Sequence, residues 1–278
     1  MKTVLITGIS TGIGRATAES FLEQGHLVIG AVREFHSVET LKSKYGSKLI
    51  LWKCNFLNLT EIDSIHNLLS ENKIMQIDIL INNAGMALSA PFQHQDFSEV
   101  QNTITTNVLA VMKLTQVLIS YLIPAKGRII NISSISGVGG TPFLAGYCAS
   151  KHAVEGFSES LRRELNLYGI KVILIGPGSI QTPIWSKGFE AIRMRYQNSA
   201  YQESFDRFIE FASHEKAHAL PPSVVVKDIL HATFSESPKI RYSPVPRKFQ
   251  NVFLPWILPR FVTDYMICRA LGLRIKKY

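Results

Sequence analysis

A tyrosine and a lysine stand four residues apart in this chain, at Tyr147 and Lys151 in the run Tyr-Cys-Ala-Ser-Lys. On a helix that spacing places the two side chains on one face. The free side chains have pKa values of about 10 and about 10.4, and a nearby ammonium group favours the phenolate. We therefore expect Lys151 to lower the pKa of Tyr147, so that the phenol exchanges a proton near neutral pH. Pairs with this spacing also arise by chance, so its meaning depends on the rest of the chain.

A glycine-rich segment close to the N-terminus is typical of a site for the phosphates of a dinucleotide. The apolar run at 4–6 predicts a strand, and Thr-Gly-Ile-Ser-Thr-Gly-Ile-Gly at 7–14 predicts a turn into a helix. Glycines let backbone N–H groups approach a pyrophosphate, and the helix N-terminus adds the positive end of its dipole. The spacing is G-x-x-x-G-x-G, and an ordinary strand–helix turn is the alternative. The expected cofactor contacts in this turn are Gly8, Ser10, Thr11, Gly12, Ile13 and Gly14.

The second predicted strand bears on the choice between NAD(H) and NADP(H). It ends at Val32-Arg33, with no acidic side chain there to accept bonds from ribose hydroxyls, and Glu34 comes one residue later. An arginine at this place can pair with a phosphate on the ribose. Arg33 therefore favours NADP(H) over NAD(H), and a solvated arginine at a strand end is the alternative.

Short apolar runs alternate with helical patterns over most of the chain. Where the helical patterns occur, apolar residues recur at spacings of three and four; the apolar runs lie at 3–6, 26–32, 48–54, 77–81, 127–132 and 171–175. The alternation predicts an α/β fold with a parallel sheet and helices on both faces. It pauses at 183–221, which predicts a helical insertion. We expect one domain over 1–243 and an extension over 244–278, whose prolines end any long helix before about Arg260.

The positive charge is concentrated at the C-terminal end. The 278 residues carry a net charge of +9, and residues 239–278 hold nine Lys and Arg but one acid, Asp264, a net of +8. The remaining chain is thus close to neutral, at +1. Because no recognisable nucleic-acid-binding motif accompanies the charge, we expect no nucleic-acid partner.

The cysteines and histidines show no disulfide or metal-binding pattern. Cys54, Cys148 and Cys268 lie far apart without C-x-x-C spacing, and the eight histidines include only one pair at a helical ligand spacing. We therefore expect no disulfide framework and no metal. A strand begins at Val4 and no run of eighteen apolar residues occurs. On that basis we expect neither a signal peptide nor a transmembrane helix, and a cytoplasmic location.

Several further segments agree with the glycine turn and the tyrosine–lysine pair, in order along the chain. They are Asn82–Gly85 (Asn-Asn-Ala-Gly) after the fourth strand, Asn107 in a helical pattern, Ser134 thirteen residues before Tyr147, and Pro177–Thr182 (Pro-Gly-Ser-Ile-Gln-Thr) after the sixth strand. With these parts, residues 3–185 resemble the short-chain dehydrogenase/reductase family in its shorter form. Because all of them occur in register, chance agreement is negligible.

The resemblance implies a Rossmann-type, doubly wound parallel sheet and hydride transfer between NADP(H) and a carbonyl or alcohol carbon. It assigns proton transfer to Tyr147, orientation of the substrate oxygen to Ser134, binding of the nicotinamide ribose to Lys151, and a water that leads to solvent to Asn107. Besides Tyr147 and Lys151, it implies cofactor contacts from Asn83, Ala84, Gly85, Pro177, Gly178, Ile180 and Thr182. Family members commonly form dimers or tetramers, so we expect a homo-oligomer.

Two places depart from the family pattern or leave a choice. Asn55 and Phe56 follow the third strand, where the family usually has an aspartate that accepts from the adenine amino group. The amide oxygen of Asn55 can accept the same bond, and we expect both residues at the cofactor. Ser133, Ser134 and Ser136 all lie near the end of the fifth strand. Neighbours on a strand face opposite ways, and the spacing to the tyrosine selects Ser134.

The insertion at 183–221 lies where the family has its variable substrate lid. Arg193 and Arg195 in it either meet an anionic substrate or, as we expect, are solvated. The segments 141–143 and 147–151 resemble the hydroxysteroid and retinol dehydrogenase branch, as does Arg33. We therefore expect a small-molecule substrate that is apolar and steroid-, retinoid- or lipid-like. The residues that either pack the lid onto the body or, as we expect, line an apolar pocket are Ile184, Trp185, Phe189, Ile192, Met194, Tyr196, Tyr201, Phe205, Phe208, Ile209 and Phe211.

The extension at 244–278 mixes its basic residues with apolar ones. Three interpretations are open: peripheral contact with an anionic membrane surface, a flap over an apolar pocket, and packing against the body. The apolar residues are Phe249, Val252, Phe253, Leu254, Trp256, Ile257, Leu258 and Phe261.

Two functions other than catalysis are also open: a regulatory protein that senses NADP(H) on the same fold, and a membrane-surface scaffold directed by the basic tail. The intact set of Asn107, Ser134, Tyr147 and Lys151 favours the enzyme. A sensor has no need for a proton relay.

Overall fold

The structure is a computed structural model that describes residues 1–183, 193–246 and 258–273. Within those ranges seven parallel strands form one sheet in the order β3-β2-β1-β4-β5-β6-β7. The strands are β1 (Thr3–Thr7), β2 (Leu27–Val32), β3 (Leu49–Lys53), β4 (Ile79–Asn82), β5 (Arg128–Ile132), β6 (Lys171–Ile175) and β7 (Arg241–Tyr242). The α-helices of the described ranges are α1 (Gly12–Glu23), α2 (Glu39–Tyr45), α3 (Ile65–Glu71), α4 (Phe97–Ile104), α5 (Ala110–Leu122), α6 (Ala145–Glu164), α7 (Gln202–Ala217), α8 (Pro222–Phe234) and α9 (Arg260–Leu271).

Helices cover both faces of the sheet, as the alternating pattern predicts. Successive strand residues point to opposite faces. Val4 and Ile6 pack into a core cluster with residues of α1 and α8, whereas Leu5 packs into a second cluster with residues of α3, α5 and α6. The predicted α/β fold with a doubly wound parallel sheet is thus confirmed.

The strand order creates a crevice at the carboxyl end of β1. The chain proceeds from β1 to β2 and β3 on one side, then returns to β4 on the other side of β1. Register pairs Val4 with Val28 on one side and with Ile79 on the other. The loops that leave neighbouring strands diverge at this point, and open α/β sheets bind their ligands there.

The predicted insertion and extension are partly covered by the described ranges. Within 183–221 the chain forms α7, and Ile184, Trp185, Phe189 and Ile192 lie outside the described residues. In the extension, α9 begins immediately after Pro259, which is consistent with the prediction that the prolines end any long helix before about Arg260. The remaining tail residues named above, except Leu258 and Phe261, lie outside the described residues. The division at residue 243 stays a prediction.

One helical stretch in the described part, Phe97–Leu122, is long and apolar enough to cross a membrane by length and composition. It comprises α4, a turn of π-helix at 105–109, and α5. Leu114, Leu118 and Leu122 are buried in the core cluster that α5 shares with the sheet. Packing against the sheet accounts for the apolar character of this stretch.

Candidate active site

The glycine-rich turn joins β1 to α1 at the crevice. Gly8 and Gly12 have φ angles of +74° and +60°, a region that residues with a Cβ rarely adopt. Ser10, Thr11 and Ile13 complete the turn, and Thr11 has the extended backbone of a helix N-cap without a side-chain cap bond. The first N–H groups of α1 therefore point into the crevice without a cap from Thr11, as an anion site requires.

Close packing at Gly14 holds this turn against the loop after β4. A Cβ on Gly14 would lie 2.2 Å from the Gly8 carbonyl oxygen and 2.3 Å from Asn83 Nδ2. Asn83 Nδ2 donates to the Thr7 carbonyl at 2.8 Å, and the Thr7 hydroxyl accepts from the N–H groups of Asn83 and Ala84, both at 2.9 Å. The side chain of Asn83 thus braces the turn. Gly14 therefore has no room for a side chain, and its close packing against Gly8 keeps the turn in the tight conformation that a dinucleotide phosphate requires.

The loop after β6 lies on the other side of the turn. A Cβ on Gly12 would lie 3.0 Å from Thr182 Cγ2. Gly178 donates its N–H to the Pro244 carbonyl at 3.1 Å, and the Pro177 carbonyl accepts from the N–H of Ile135 at 3.0 Å. Ile180 forms a parallel bridge with Leu220. The predicted nicotinamide loop is therefore held between the end of β5 and the segment after β7.

Tyr147 and Ser134 meet in the crevice. Tyr147 lies in the first turn of α6, and Ser134 follows β5 with an extended backbone. Both are buried, and a side-chain hydrogen bond from Ser134 acts on the phenol. Ser134 Oγ also accepts from the N–H of Ser136 at 3.1 Å. The neighbouring Ser133 is directed away, towards Gly137, because a Cβ there would lie 2.7 Å from Ser133 Oγ. The spacing argument thus selects the serine that meets the tyrosine.

Without a bound cofactor, burial is the largest influence on the pKa of Tyr147. Removal from water disfavours the phenolate and raises the pKa of Tyr147 to about 12, while the bond from Ser134 acts in the opposite direction. The lowered pKa expected from the sequence is therefore wrong for the protein by itself. The ammonium of Lys151 lies 5.8 Å from the ring centroid of Tyr147, and its effect does not outweigh desolvation. A cationic nicotinamide beside the phenol would act in the lowering direction.

Lys151 is buried one helical turn after Tyr147. Its Nζ donates to the Ile132 carbonyl at 2.9 Å. Burial lowers the pKa of Lys151 to about 8, and the carboxylate of Glu155 opposes this shift. The ammonium therefore predominates at neutral pH and is lost in mildly alkaline solution.

Asn107 lies in the π-helical turn Thr105–Leu109, between α4 and α5. Its Oδ1 accepts from the N–H of Met86 at 2.9 Å, and its Nδ2 donates to the Met86 carbonyl and to Ser150 Oγ. A Cβ on Gly85 would lie 3.2 Å from Asn107 Oδ1 and 3.8 Å from Lys151 Nζ. The asparagine is therefore close to the lysine, and the π turn that places it was not predicted from the sequence. Single π turns are frequent at functional sites.

An exposed arginine stands at the carboxyl end of β2, beside the crevice. Arg33 follows β2 with an exposed side chain, and within the described ranges it makes no ion pair or side-chain hydrogen bond. Glu34 instead pairs with Lys53 at 3.0 Å. The arginine is thus available to an anion, whereas the adjacent carboxylate is partly neutralised.

Asn55 and Phe56 follow β3 at the same edge of the sheet. Asn55 is exposed, and its Oδ1 accepts from the N–H of Leu57 at 3.2 Å, which leaves one lone pair for another donor. The ring of Phe56 is buried against Trp52, with centroids 5.9 Å apart. The side chain of Phe56 packs in the core, where it lines a small cavity with Thr7 and Ala84, and its contact with a cofactor stays a prediction.

An aromatic cluster adjoins the reacting groups. Tyr147, Phe143, Tyr196, Phe205 and Phe208 belong to it, together with Leu271 of α9. The rings of Phe205 and Phe208 are almost fully buried, so these two pack the lid onto the body, whereas Met194 and Phe211 are exposed. The lid arginines are exposed, as expected for solvated side chains, and each also pairs with a carboxylate: Arg193 with Asp206 at 2.8 Å and Arg195 with Glu99 at 2.6 Å.

Two charged side chains near the site were missed by sequence reasoning. Glu155 lies four residues after Lys151, so its place on the same helix face could have identified it. Arg241 pairs with Glu155 across 86 residues of sequence, and no local pattern indicates this contact. Among the described residues no group of three His, Cys, Asp or Glu side chains could hold a metal ion.

Comparison with known proteins agrees with this geometry. Residues 2–192 match the family described as short chain dehydrogenase. An "NADPH-dependent 3-dehydrocapnine reductase" from Ornithobacterium rhinotracheale is 32% identical over 280 residues, which cover 98% of each chain. A "3-ketodihydrosphingosine reductase" from Bacteroides thetaiotaomicron is 33% identical over 240 residues, which cover 86% of each chain.

A solved structure supports the fold. A short-chain dehydrogenase from Streptomyces avermitilis superposes with a TM-score of 0.81 over 99% of this chain and 98% of that one, at 23% identity. The residues that build the crevice, the family match and the two relatives lead to one conclusion. The chain belongs to the short-chain dehydrogenase/reductase family and is an NAD(P)-dependent oxidoreductase.

Proposed function

We propose that this protein is an NADPH-dependent reductase of a ketone in an apolar, lipid-like molecule. The observation that carries the proposal is the hydrogen bond between Ser134 and Tyr147 beside the Lys151 ammonium. The three groups lie at the edge of a crevice whose glycine turn fits a dinucleotide. This arrangement serves proton transfer to a substrate oxygen.

Bound NADP(H) supplies the hydride for the substrate carbon. The residues that would hold it are those of the glycine turn, Asn83–Gly85, Lys151 and the loop 177–182. Tyr147 donates its proton to the carbonyl oxygen as negative charge develops there. Ser134 donates a hydrogen bond to the same oxygen and fixes its position. The ammonium of Lys151 stabilises the phenolate that remains.

The preference for NADP(H) rests on Arg33. It is a guanidinium without a partner in the described residues, at the strand end where the adenosine ribose of a dinucleotide lies. Glu34 is held by Lys53 and does not occupy this place as a free carboxylate. The relative from Ornithobacterium rhinotracheale carries NADPH in its name, which supports the same choice.

The lipid-like substrate is supported by the aromatic cluster and by the relatives. Tyr147 shares the cluster with Phe143 and with residues of the lid, so the reacting phenol borders apolar side chains. The two relatives are named for a 3-dehydro and a 3-keto compound, both of which are ketones at carbon 3. Among steroid, retinoid and lipid-like molecules, these names favour the last.

The function is tested by following oxidation of NADPH with a panel of carbonyl compounds. We expect turnover with 3-ketodihydrosphingosine or another long-chain 3-oxo compound, at a kcat/KM at least tenfold above that with androstenedione or retinal. Dihydroxyacetone serves as the small polar control and should show no turnover. A preference for dihydroxyacetone would contradict the apolar substrate. Tight NADPH binding without turnover of any carbonyl would favour the cofactor-sensing protein.

The surface of α9 supports a peripheral contact with an anionic membrane. Phe261, Tyr265 and Met266 of α9 are 75%, 62% and 51% exposed, and Arg260 and Arg269 near its ends are exposed as well. Basic residues beside exposed apolar ones are typical of segments that lie on anionic lipid. Leu271 at the end of the same helix joins the aromatic cluster, so membrane contact would be made next to the proposed substrate site.

This contact is tested by sedimentation with vesicles of phosphatidylglycerol and phosphatidylcholine. We expect the full chain to bind anionic vesicles in a salt-sensitive way, and Phe261→Asp/Tyr265→Asp to lose at least tenfold in binding. Met75→Asp/Leu167→Asp is the matched control, because both side chains are more than 80% exposed elsewhere. Undiminished binding of the α9 variant would exclude this surface. The homo-oligomer and the cytoplasmic location stay predictions.

A further inference from the structure

Glu155 and Arg241 form a partly buried ion pair beside the catalytic helix. Arg241 Nε lies 3.2 Å from Glu155 Oε2, and its Nη2 lies 3.1 Å from Oε1, so the contact is bidentate. The same Nη2 donates to the backbone carbonyl of Ser134 at 3.3 Å, and Nη1 donates to Ser243. One guanidinium thus connects α6, the end of β5 and β7.

The packing around the pair leaves it little freedom. A Cβ on Gly176 would lie 2.1 Å from Arg241 Nη2, and a Cβ on Gly137 would lie 2.9 Å from Glu155 Cγ. A side chain at either glycine would therefore have to displace a member of the ion pair. The side chains of Glu155 and Arg241 are 15% and 22% exposed. They therefore form a stable part of the site, unlike a surface pair in water.

The charges of Glu155 and Arg241 also affect the protonation of Lys151. Glu155 lies one helical turn after the lysine, and its carboxylate favours the ammonium against the effect of burial. Arg241 cancels part of that negative charge. The other groups that face the lysine are the Tyr147 phenol on α6, the Asn107 amide in the π turn and the Ile132 carbonyl on β5, all uncharged at neutral pH.

We propose that Glu155 and Arg241 are positioning residues of the reductase site: Arg241 holds the backbone of Ser134, and the two opposite charges set the pH range in which Lys151 keeps its proton. The inference rests on the proposed function, because it assigns a use to the lysine charge in ketone reduction. Removal of either partner exposes the lysine to the other charge alone, so the two substitutions should act in opposite directions.

The test is the pH dependence of kcat/KM for the ketone at saturating NADPH. In the wild type we expect the rate to fall above about pH 8, as Lys151 loses its proton. Glu155→Gln leaves the guanidinium unpaired and should move this midpoint down by about one pH unit. Arg241→Met leaves the carboxylate unpaired and should move the midpoint up by about one unit. A merely structural role would not produce shifts of opposite sign.

Conservative variants separate charge from geometry. Arg241→Lys keeps the charge, so its midpoint should equal that of the wild type while kcat falls through loss of the contact to Ser134. Glu155→Asp, which withdraws the carboxylate, should give a smaller downward shift and serves if Glu155→Gln does not fold. Asp63→Asn breaks the ion pair with Lys113 on α5 and should leave the midpoint unchanged. Shifts that are absent, or of the same sign, in folded variants would overturn the inference.

Failure of the proposed function would be recognised separately. If the wild type reduces no ketone at any pH, the reductase proposal fails. In that case the pH dependence of the NADPH dissociation constant, measured by fluorescence, reports the protonation of Lys151 directly. If the wild type reduces the ketone and all midpoints coincide, only the role of Glu155 and Arg241 fails.

Discussion

Tyr147→Phe is expected to lower kcat for ketone reduction by about a thousandfold, while the dissociation constant for NADPH changes less than threefold. The substitution removes the proton donor, and general acid catalysis contributes roughly 10²–10⁴-fold. It keeps the ring, which packs in the aromatic cluster with Phe143 and the lid. Steady-state oxidation of NADPH measures the rate, and fluorescence of bound NADPH measures the affinity.

A matched control distinguishes the phenol from the loss of any tyrosine hydroxyl. Tyr168→Phe removes the same group in the turn that follows α6, where the side chain is exposed. This variant should keep the wild-type rate. If Tyr147→Phe retains more than a few per cent of the wild-type rate, Tyr147 is not the proton donor and the proposed mechanism is wrong.

Arg33→Asp is expected to reduce kcat/KM for NADPH by about a hundredfold and to improve use of NADH. A charged hydrogen-bonded pair costs roughly 2–5 kcal/mol when one partner is removed, and the new carboxylate also repels the ribose phosphate. An aspartate at this strand end can instead accept bonds from the ribose hydroxyls of NADH. The ratio of kcat/KM for the two cofactors, measured with one ketone, reports the change.

The control for this charge reversal is a lysine at the amino ends of the strands, away from the carboxyl end of β2 where Arg33 lies. Lys48 precedes β3, is exposed, and approaches Gly25 before β2. Lys48→Asp makes the same change in net charge at the amino ends of the strands and should leave the cofactor ratio unchanged. An unaltered ratio in Arg33→Asp would reject this arginine as the residue that selects NADP(H).

Most of the fold could be predicted from the chain because its elements depend on local patterns. Short apolar runs placed β1 to β6 within a few residues of their observed bounds. Glycine spacing identified the tight turn between β1 and α1, since backbone conformation near φ +60° is itself a local property. The four-residue spacing placed Tyr147 and Lys151 on one face of α6.

The pKa values of the site could not be predicted from local sequence patterns. The spacing indicates that the Lys151 ammonium lies near the Tyr147 phenol. It does not indicate how far folding removes the two groups from water. In the folded chain desolvation dominates: it raises the pKa of Tyr147 to about 12 and lowers that of Lys151 to about 8. Likewise, the rings of Phe205 and Phe208 were expected to line an apolar pocket and are almost fully buried in the packing of the lid, because burial is a property of the whole molecule.

The sequence by itself therefore determined most of the elements, their order and the candidates for the reacting groups, since these follow from spacing along helices, strands and short turns. Only the tertiary structure decided which distant groups act on them. It joined Arg241 to Glu155 and to the carbonyl of Ser134, and it turned Asn83 against the phosphate turn. Such contacts join residues far apart in the chain, and their strength depends on the exclusion of water, which arises only when the elements pack.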